Sequence, residues 1–248
     1  TILLVGDQDR VKLVSSFFDT IEFEHQHREF VTHTGIYKGK RISVISTGIG
    51  TDNIDIVINE LDALANINLV SRDEQPTKKQ LNFIRIGTCG ILQPSIPVHS
   101  FILSKYALGL DNVAHFYEIP FTTEEEALCE RLTTHIELPI KIQPYLVKAS
   151  DSLVAKLSSN LTFQGITVTS SGFYGPQGRV LRLGIQDPEL NNKMDRFNFN
   201  GTRMTNLEME TGAIYGLGKL LGHNCLSLNA IIANRATGTF SEDPYKAV

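Results

Sequence analysis

Apolar positions along the chain fall into two alternating patterns: short β-branched runs bounded by glycine, proline or asparagine, and longer stretches with apolar residues at helical spacing. Thr1-Ile2-Leu3-Leu4-Val5 predicts a strand ending at Gly6-Asp7, and residues 9–18 predict a helix. Residues 30–37 and 41–46 flank Lys38-Gly39-Lys40, the signature of a hairpin. After Gly48-Ile49-Gly50, Thr51 or Asp52 can cap a helix whose buried face would carry Ile54, Val57, Ile58, Leu61 and Leu64. Residues 68–80 are polar and read as a surface excursion, after which Phe83-Ile84-Arg85-Ile86 predicts a buried strand running into Gly87. Further strands are expected at 100–103, 143–148, 166–170 and 225–233, with helices at 123–135, 150–157, 187–197 and 211–221. Residues 172–180 hold three glycines and a proline and read as an ordered loop. Such an alternation predicts a three-layer α/β architecture around a mostly parallel sheet. A chain of 248 residues with 42% hydrophobic content suits one domain over residues 1–248.

Charge and cysteine content narrow the partners. The net charge is −4 and no lysine- or arginine-rich run occurs, which argues against nucleic acid while leaving small anions open. Cys89, Cys129 and Cys225 lie far apart without metal-ligand spacing, and an odd number suits reduced thiols in the cytoplasm. No apolar run approaches the roughly 18 residues of a membrane span, and no signal-peptide pattern opens the chain. The sequence begins inside a strand and stops at Lys246-Ala247-Val248 without a stop signal, so both termini are expected to be truncated.

Ligands of open α/β sheets bind at the carboxyl ends of strands, where four junctions here place glycine beside polar side chains. They are Gly6-Asp7-Gln8-Asp9-Arg10, Ser46-Thr47-Gly48-Ile49-Gly50, Arg85-Ile86-Gly87-Thr88-Cys89-Gly90 and Ser170-Ser171-Gly172-Phe173. Glycine lets main-chain N–H groups line an anion pocket that a guanidinium can complete. Arg10 and Arg85 are the candidate cations. Taken singly, Arg10 also fits a solvated helix position, whereas Arg85, inside an apolar run, needs either an ion-pair partner or a ligand. Glu208-Met209-Glu210 could equally be an acidic lead-in to the helix at 211, and two carboxylates at i and i+2 on an extended segment would face opposite ways.

Six motifs in order, Gly-Asp-x-x-Arg, Arg-Glu-Phe, Ser-Thr-Gly-Ile-Gly, Arg-Ile-Gly-Thr-x-Gly, Phe-Tyr-x-x-Gln-x-Arg and Glu-Met-Glu, run from Gly6 to Glu210 within a match that reaches Arg235, and resemble those of uridine phosphorylases. The resemblance implies an α/β/α sandwich with a central mixed, largely parallel sheet and a pentosyltransferase that reversibly converts uridine and phosphate to uracil and ribose 1-phosphate. It assigns phosphate to Gly6, Arg10, Arg85 and Thr88, with Arg28 supplied by a neighbouring subunit. Ribose falls to Thr88, Met209 and Glu210, and the base to Gly90, Phe173, Gln177 and Arg179. A uracil edge offers acceptors around one donor, which an amide and a guanidinium complement. Glu210, Arg179 and Arg235 would carry catalysis, the arginines by stabilising the departing uracil anion.

The same resemblance implies a homodimer unit with a shared site, within a dimer or a homohexamer. It implies no organic cofactor, phosphate as co-substrate, and a potassium ion near Glu29, Ile49 and Asn53 in bacterial relatives. Several positions depart from the pattern: Val5 and Gln8 replace prolines, Cys89 replaces a threonine, and Thr51-Asp52-Asn53 replaces Gly-Pro-Ser. A histidine that relatives supply before the first strand has no counterpart, and His25 and His27 read as solvated groups in a polar connection. Purine nucleoside phosphorylases place Ser-Asp after the last strand where this chain has Ala233-Asn234-Arg235, which favours a pyrimidine. A non-catalytic nucleoside-binding member of the fold is the remaining rival.

Overall fold

The computed structural model describes residues 1–138 and 142–243, so the terminal Lys246-Ala247-Val248 lies outside the described residues. In chain order the strands are β1 (Ile2–Val5), β2 (Thr20–His27), β3 (Phe30–Tyr37), β4 (Lys40–Ser46), β5 (Asn82–Ile91), β6 (Phe101–Gly109), β7 (Tyr145–Lys148), β8 (Thr162–Thr169), β9 (Asn198–Phe199), β10 (Thr202–Glu208), β11 (Asn224–Asn234) and β12 (Thr239–Phe240). The helices are α1 (Gln8–Ser15), α2 (Thr51–Asn66), α3 (Thr123–Ile136), α4 (Asp151–Leu157), α5 (Leu190–Arg196) and α6 (Thr211–Leu220).

Parallel pairing joins β4 to β1, β1 to β5, β5 to β11, β6 to β8 and β8 to β10, while antiparallel pairing adds the β2–β3–β4 margin, β7 and β12. β5 and β11 are the long strands, at 10 and 11 residues, and they do more than extend the sheet. β11 also pairs β6, and β10 also pairs the end of β5, so β5, β11, β6, β8 and β10 close upon one another. The mixed sheet expected from the sequence is therefore curled shut over its central strands.

Alternation along each strand sorts side chains to two faces. On β7, Tyr145 and Val147 join the core formed with α2, α4 and α6, while Leu146 between them joins the core formed with α3 and α5. β1 and β4 repeat the pattern, Leu4 and Ile45 facing α2 while Val5 and Val44 pack with Val11 of α1. Helices thus cover both faces, giving the three layers.

Local chemistry explains the helix ends and corrects several expectations. Asp7 caps α1 by accepting from Asp9 N, and that helix stops at Ser15, short of residue 18. Neither Thr51 nor Asp52 caps α2: the N-cap is Gly50 at φ 101 with no side-chain bond. Ile54, Val57 and Ile58 are buried as expected, but Leu64 is 67% exposed although Asn66 after it is buried, so Leu64 faces away from the packed side of the helix. α5 starts at Leu190, not 187, since Asp187 accepts from Glu189 N and opens a turn that precedes the helix. His25 and His27 are exposed, but they lie on β2, a strand and not a connection. α3 opens with a reciprocal capping box between Thr122 and Glu125.

Tyr215 shows how the layers lock. Its fully buried ring sits on α6 and its hydroxyl donates to Ser104 O at 2.7 Å while accepting from Ser227 N at 2.8 Å. Tyr215→Phe leaves two buried backbone groups unpaired, and chemical denaturation is expected to show a loss of about 1–3 kcal/mol.

Candidate active site

Because β5 lies between β1 and β11, Arg85 emerges into the interior, opposite Ser227 and beside Leu4. Only 8% of its side chain is exposed, and burial of a bare cation there would be prohibitive. Its partners are Glu210, whose Oε2 accepts from Nη2 at 2.5 Å, Glu208 at 3.4 Å, and Asn229, whose Oδ1 accepts from Nη1 at 2.5 Å. Burial pulls the guanidinium's pKa down, but Glu210 and Glu208 outweigh it and hold it above its ordinary value.

The two carboxylates do not face opposite ways as an extended segment would require. β10 ends at Glu208 and Glu210 is the N-cap of α6, so the chain turns between them. Glu208 caps the helix, Oε2 accepting from Glu210 N and Thr211 N at 2.9 Å each, while Oε1 accepts from Thr169 at 2.6 Å. Glu210 reaches across to accept from Gly50 N at 2.8 Å, tying the β4–α2 turn to Arg85. Burial raises the Glu210 pKa, with Arg85 opposing the rise.

A second polar group forms where β8 leads into the turn at Gly175–Gln177. Arg179 lies 3.7 Å from the Phe173 ring centroid, and its Nη1 donates to Phe173 O and to Gln177 Oε1, both at 2.6 Å. Arg235, just past β11, donates to Gln177 O and lies over Gly90, where a Cβ would meet its Cδ at 3.3 Å. Two neighbouring guanidiniums in a partly dry site disfavour each other's charge. Arg235 is accordingly held below its ordinary pKa by burial and by Arg179, and Arg179 by burial. Asn191 of α5 donates to Gln177 O at 3.1 Å and braces the turn.

These groups share one cleft of about 1350 Å³. Gly6, Arg10, Arg85, Thr88, Met209 and Glu210 line it, as do Gly90, Phe173, Gln177, Arg179 and Arg235. Arg10 reaches Ile86 O at 3.3 Å. Arg28 does not line the cleft: it is exposed at the β2–β3 tip, at φ 52, where Gln8 Nε2 donates to its carbonyl at 2.9 Å. Glu29, Ile49 and Asn53 reach the cleft, and Glu29 and Asn53 flank Gly48. Among the described residues no group of three or more His, Cys, Asp or Glu could hold a metal, and no helix is long and apolar enough to cross a membrane.

Cys89, 4% exposed and next to Arg85, has its thiol pKa raised by burial and is kept neutral. Sequence reasoning missed Asn229 and the capping role of Glu208. The former carried a signal of the same kind as Arg85, a polar residue within an apolar run.

A model of the phosphorylase superfamily matches residues 1–247. The chain belongs to this superfamily. It is 32% identical to a uridine phosphorylase of Thermococcus kodakarensis, over 97% of this chain and 75% of that one. It is 31% identical to a DeoD-type purine nucleoside phosphorylase of Alkaliphilus metalliredigens, over 98% and 87%. Among solved structures, a Trypanosoma brucei nucleoside phosphorylase described as showing uridine phosphorylase activity superposes with a TM-score of 0.87 at 28% identity, covering 99% of this chain and 88% of that one. As a phosphorylase-superfamily fold, the closed central strands and the helices on both faces agree with that neighbour.

Proposed function

We propose that this chain catalyses the reversible phosphorolysis of uridine to uracil and ribose 1-phosphate, as a pentosyltransferase of pyrimidine salvage. The observation that carries the reading is that one cleft is lined by both an Arg85–Glu210 cluster and a Gln177–Arg179–Arg235 cluster. Cleavage of a nucleoside passes through an oxocarbenium-like state, positive on the ribose and negative on the departing base. Phosphate held by Gly6, Arg10, Arg85 and Thr88 supplies the oxygen that bonds C1′ as the C1′–N1 bond breaks and its electron pair leaves with the base. Glu210 and Met209 cradle the ribose, and Arg179 with Arg235 stabilises the anionic uracil.

Geometry at the proposed base site favours a pyrimidine. A purine is helped to leave by an acid, and the segment Ala233-Asn234-Arg235 at the end of β11 offers none: Arg235 is a cation, and Asn234 Nδ2 donates to Gln93 O and Ile96 O while its Oδ1 accepts from Ala236 N and Thr237 N. Asn234 is occupied in holding the turn and has no proton to give. Gln177 Oε1 accepts from Arg179 and keeps a second lone pair for the uracil N–H, while the guanidinium and the amide N–H groups supply donors for its carbonyls.

Arg28, exposed and outside its own cleft, would complete the phosphate site of a second copy, making a homodimer the smallest active unit, alone or within a homohexamer. Glu29, the Asn53 side chain and the Ile49 carbonyl supply hard oxygen donors that fit a potassium ion, which would pin the turn carrying Gly48 and Gly50. Free thiols at Cys89, Cys129 and Cys225 support a reducing, cytoplasmic setting, and one connected sheet supports a single domain over residues 1–248.

The test is a spectrophotometric assay with uridine and with inosine, each with and without phosphate. Uracil release that requires phosphate is expected. Inosine turnover in preference to uridine would move the chain to the purine branch that its Alkaliphilus metalliredigens relative represents, phosphate-independent cleavage would make it a nucleosidase, and no turnover would make it a binding protein.

A further inference from the structure

β5 and β11 run parallel with Arg85 opposite Ser227 and Gly87 opposite Asn229. Residues two apart on a strand share a face, so these four rise from the same side of the sheet. Gly87 has no Cβ, and the Arg85 side chain uses the space: a Cβ there would overlap Nη1 and Cζ. The guanidinium therefore lies along the sheet over Gly87 and ends against Asn229.

Asn229 is fully buried and its amide is fixed in one orientation. Nδ2 donates to Ser227 Oγ at 3.1 Å and Ser104 Oγ at 3.2 Å, and Ser227 Oγ also accepts from Thr211 Oγ1 at 3.0 Å. Flipping the amide would set its N–H groups against Arg85 and its oxygen against the hydroxyls, so Oδ1 stays on Nη1. Beside a carboxylate a guanidinium prefers two parallel hydrogen bonds. Glu210 receives one, on Oε2, because its Oε1 is held by Gly50 N and Nη1 is held by Asn229.

We infer that Asn229 is a positioning residue: by taking Nη1 over the bare surface of Gly87, it keeps Arg85 from closing into a bidentate pair with Glu210 and holds the guanidinium for an anion in the cleft. The inference rests on the phosphorolysis reading, since it needs phosphate as the anion. No contact between Asn229 and substrate is required, and Asn229 does not line the cleft.

The experiment is steady-state kinetics of Asn229→Ala and Asn229→Ser, varying phosphate at saturating uridine and uridine at saturating phosphate. The expected result is a rise of roughly ten- to a hundred-fold in KM for phosphate, the worth of one misdirected charge-assisted hydrogen bond, with KM for uridine changed by less than about twofold. A merely structural Asn229 would lower kcat and thermal stability without separating the two KM values, and that outcome overturns the inference. Asn229→Ser keeps a hydroxyl for the neighbouring serines but is too short to reach Arg85 Nη1, so it carries the test if Asn229→Ala does not fold. Phosphate-dependent wild-type turnover with unchanged phosphate KM in the folded variants would remove the role of Asn229 alone. Wild-type cleavage without phosphate would remove the functional reading and this inference together.

Discussion

Arg85→Ala is expected to abolish measurable phosphorolysis and, separately, to destabilise the fold. The first effect follows from losing the buried guanidinium proposed to hold phosphate, and a loss on the order of 10³-fold in kcat/KM is expected for a preorganised charge of this kind. The second follows from what stays behind. Glu210 and Glu208 face the same point and are nearly solvent-free, so removing their common cation leaves two buried carboxylates without it, at a cost of about 3–5 kcal/mol. The destabilisation should depend on pH in a defined direction. Burial already raises the Glu210 pKa, with Arg85 opposing; without Arg85 it climbs further above its unfolded value. A carboxyl whose folded pKa exceeds its unfolded one loses stability as pH rises between those two values. Arg85→Ala should thus be closer to wild type in mildly acid buffer than in mildly alkaline buffer, as measured by urea denaturation in each. Equal deficits at both pH values would show that the carboxylates had found other partners.

Arg179→Ala should reduce uridine turnover by about 10²–10³-fold, mainly in kcat, because its charge matters most when the base becomes an anion. Arg179 is poised for this: it stacks on Phe173 and is tied to the main chain of the same turn, so little motion is needed at the moment of bond breaking. The leaving group offers a sharper check. A uridine whose base is the more acidic, such as 5-fluorouridine, needs less help to depart, so the ratio of wild-type to variant kcat should be smaller for it than for uridine. Equal ratios would mean that Arg179 positions the base without stabilising its charge. Arg235, held below its ordinary pKa by burial and by Arg179, loses its like-charged neighbour in the variant.

How far the sequence reads depends on whether a feature's cause is local. The β3–β4 hairpin, α2 and α3 were legible because turn chemistry and helical apolar spacing lie within a few residues. β2 was not, because Thr20–His27 is exposed along its whole length and is held by main-chain bonds to β3 that need no apolar pattern. β10 was missed for a different reason. Its buried Thr205, Asn206 and Glu208 look like loop residues until their partners are known, and those partners, Ile166 O, Thr167 and Thr169, lie on β8, nearly 40 positions earlier.

The site divides the same way. A charge inside Phe83-Ile84-Arg85-Ile86 announces itself, since burying it alone is too unfavourable to be accidental. Asn229 in an equally apolar strand is a quieter signal, because an amide can be satisfied in many ways. By itself, the sequence determined most of the element types, the glycine-bearing junctions and the buried charge of Arg85, since these follow from side-chain chemistry and short-range period, while the sugar and base assignments came from the family resemblance. Only the tertiary structure decided that Glu208 and Glu210 converge on one arginine, that Gly87 is the floor beneath it and Asn229 the stop beyond it. It also decided that β5 and β11 are long enough to close five strands upon one another. Those facts depend on strand register and on a turn at the end of β10, where distances are set by pairing between segments far apart in the chain.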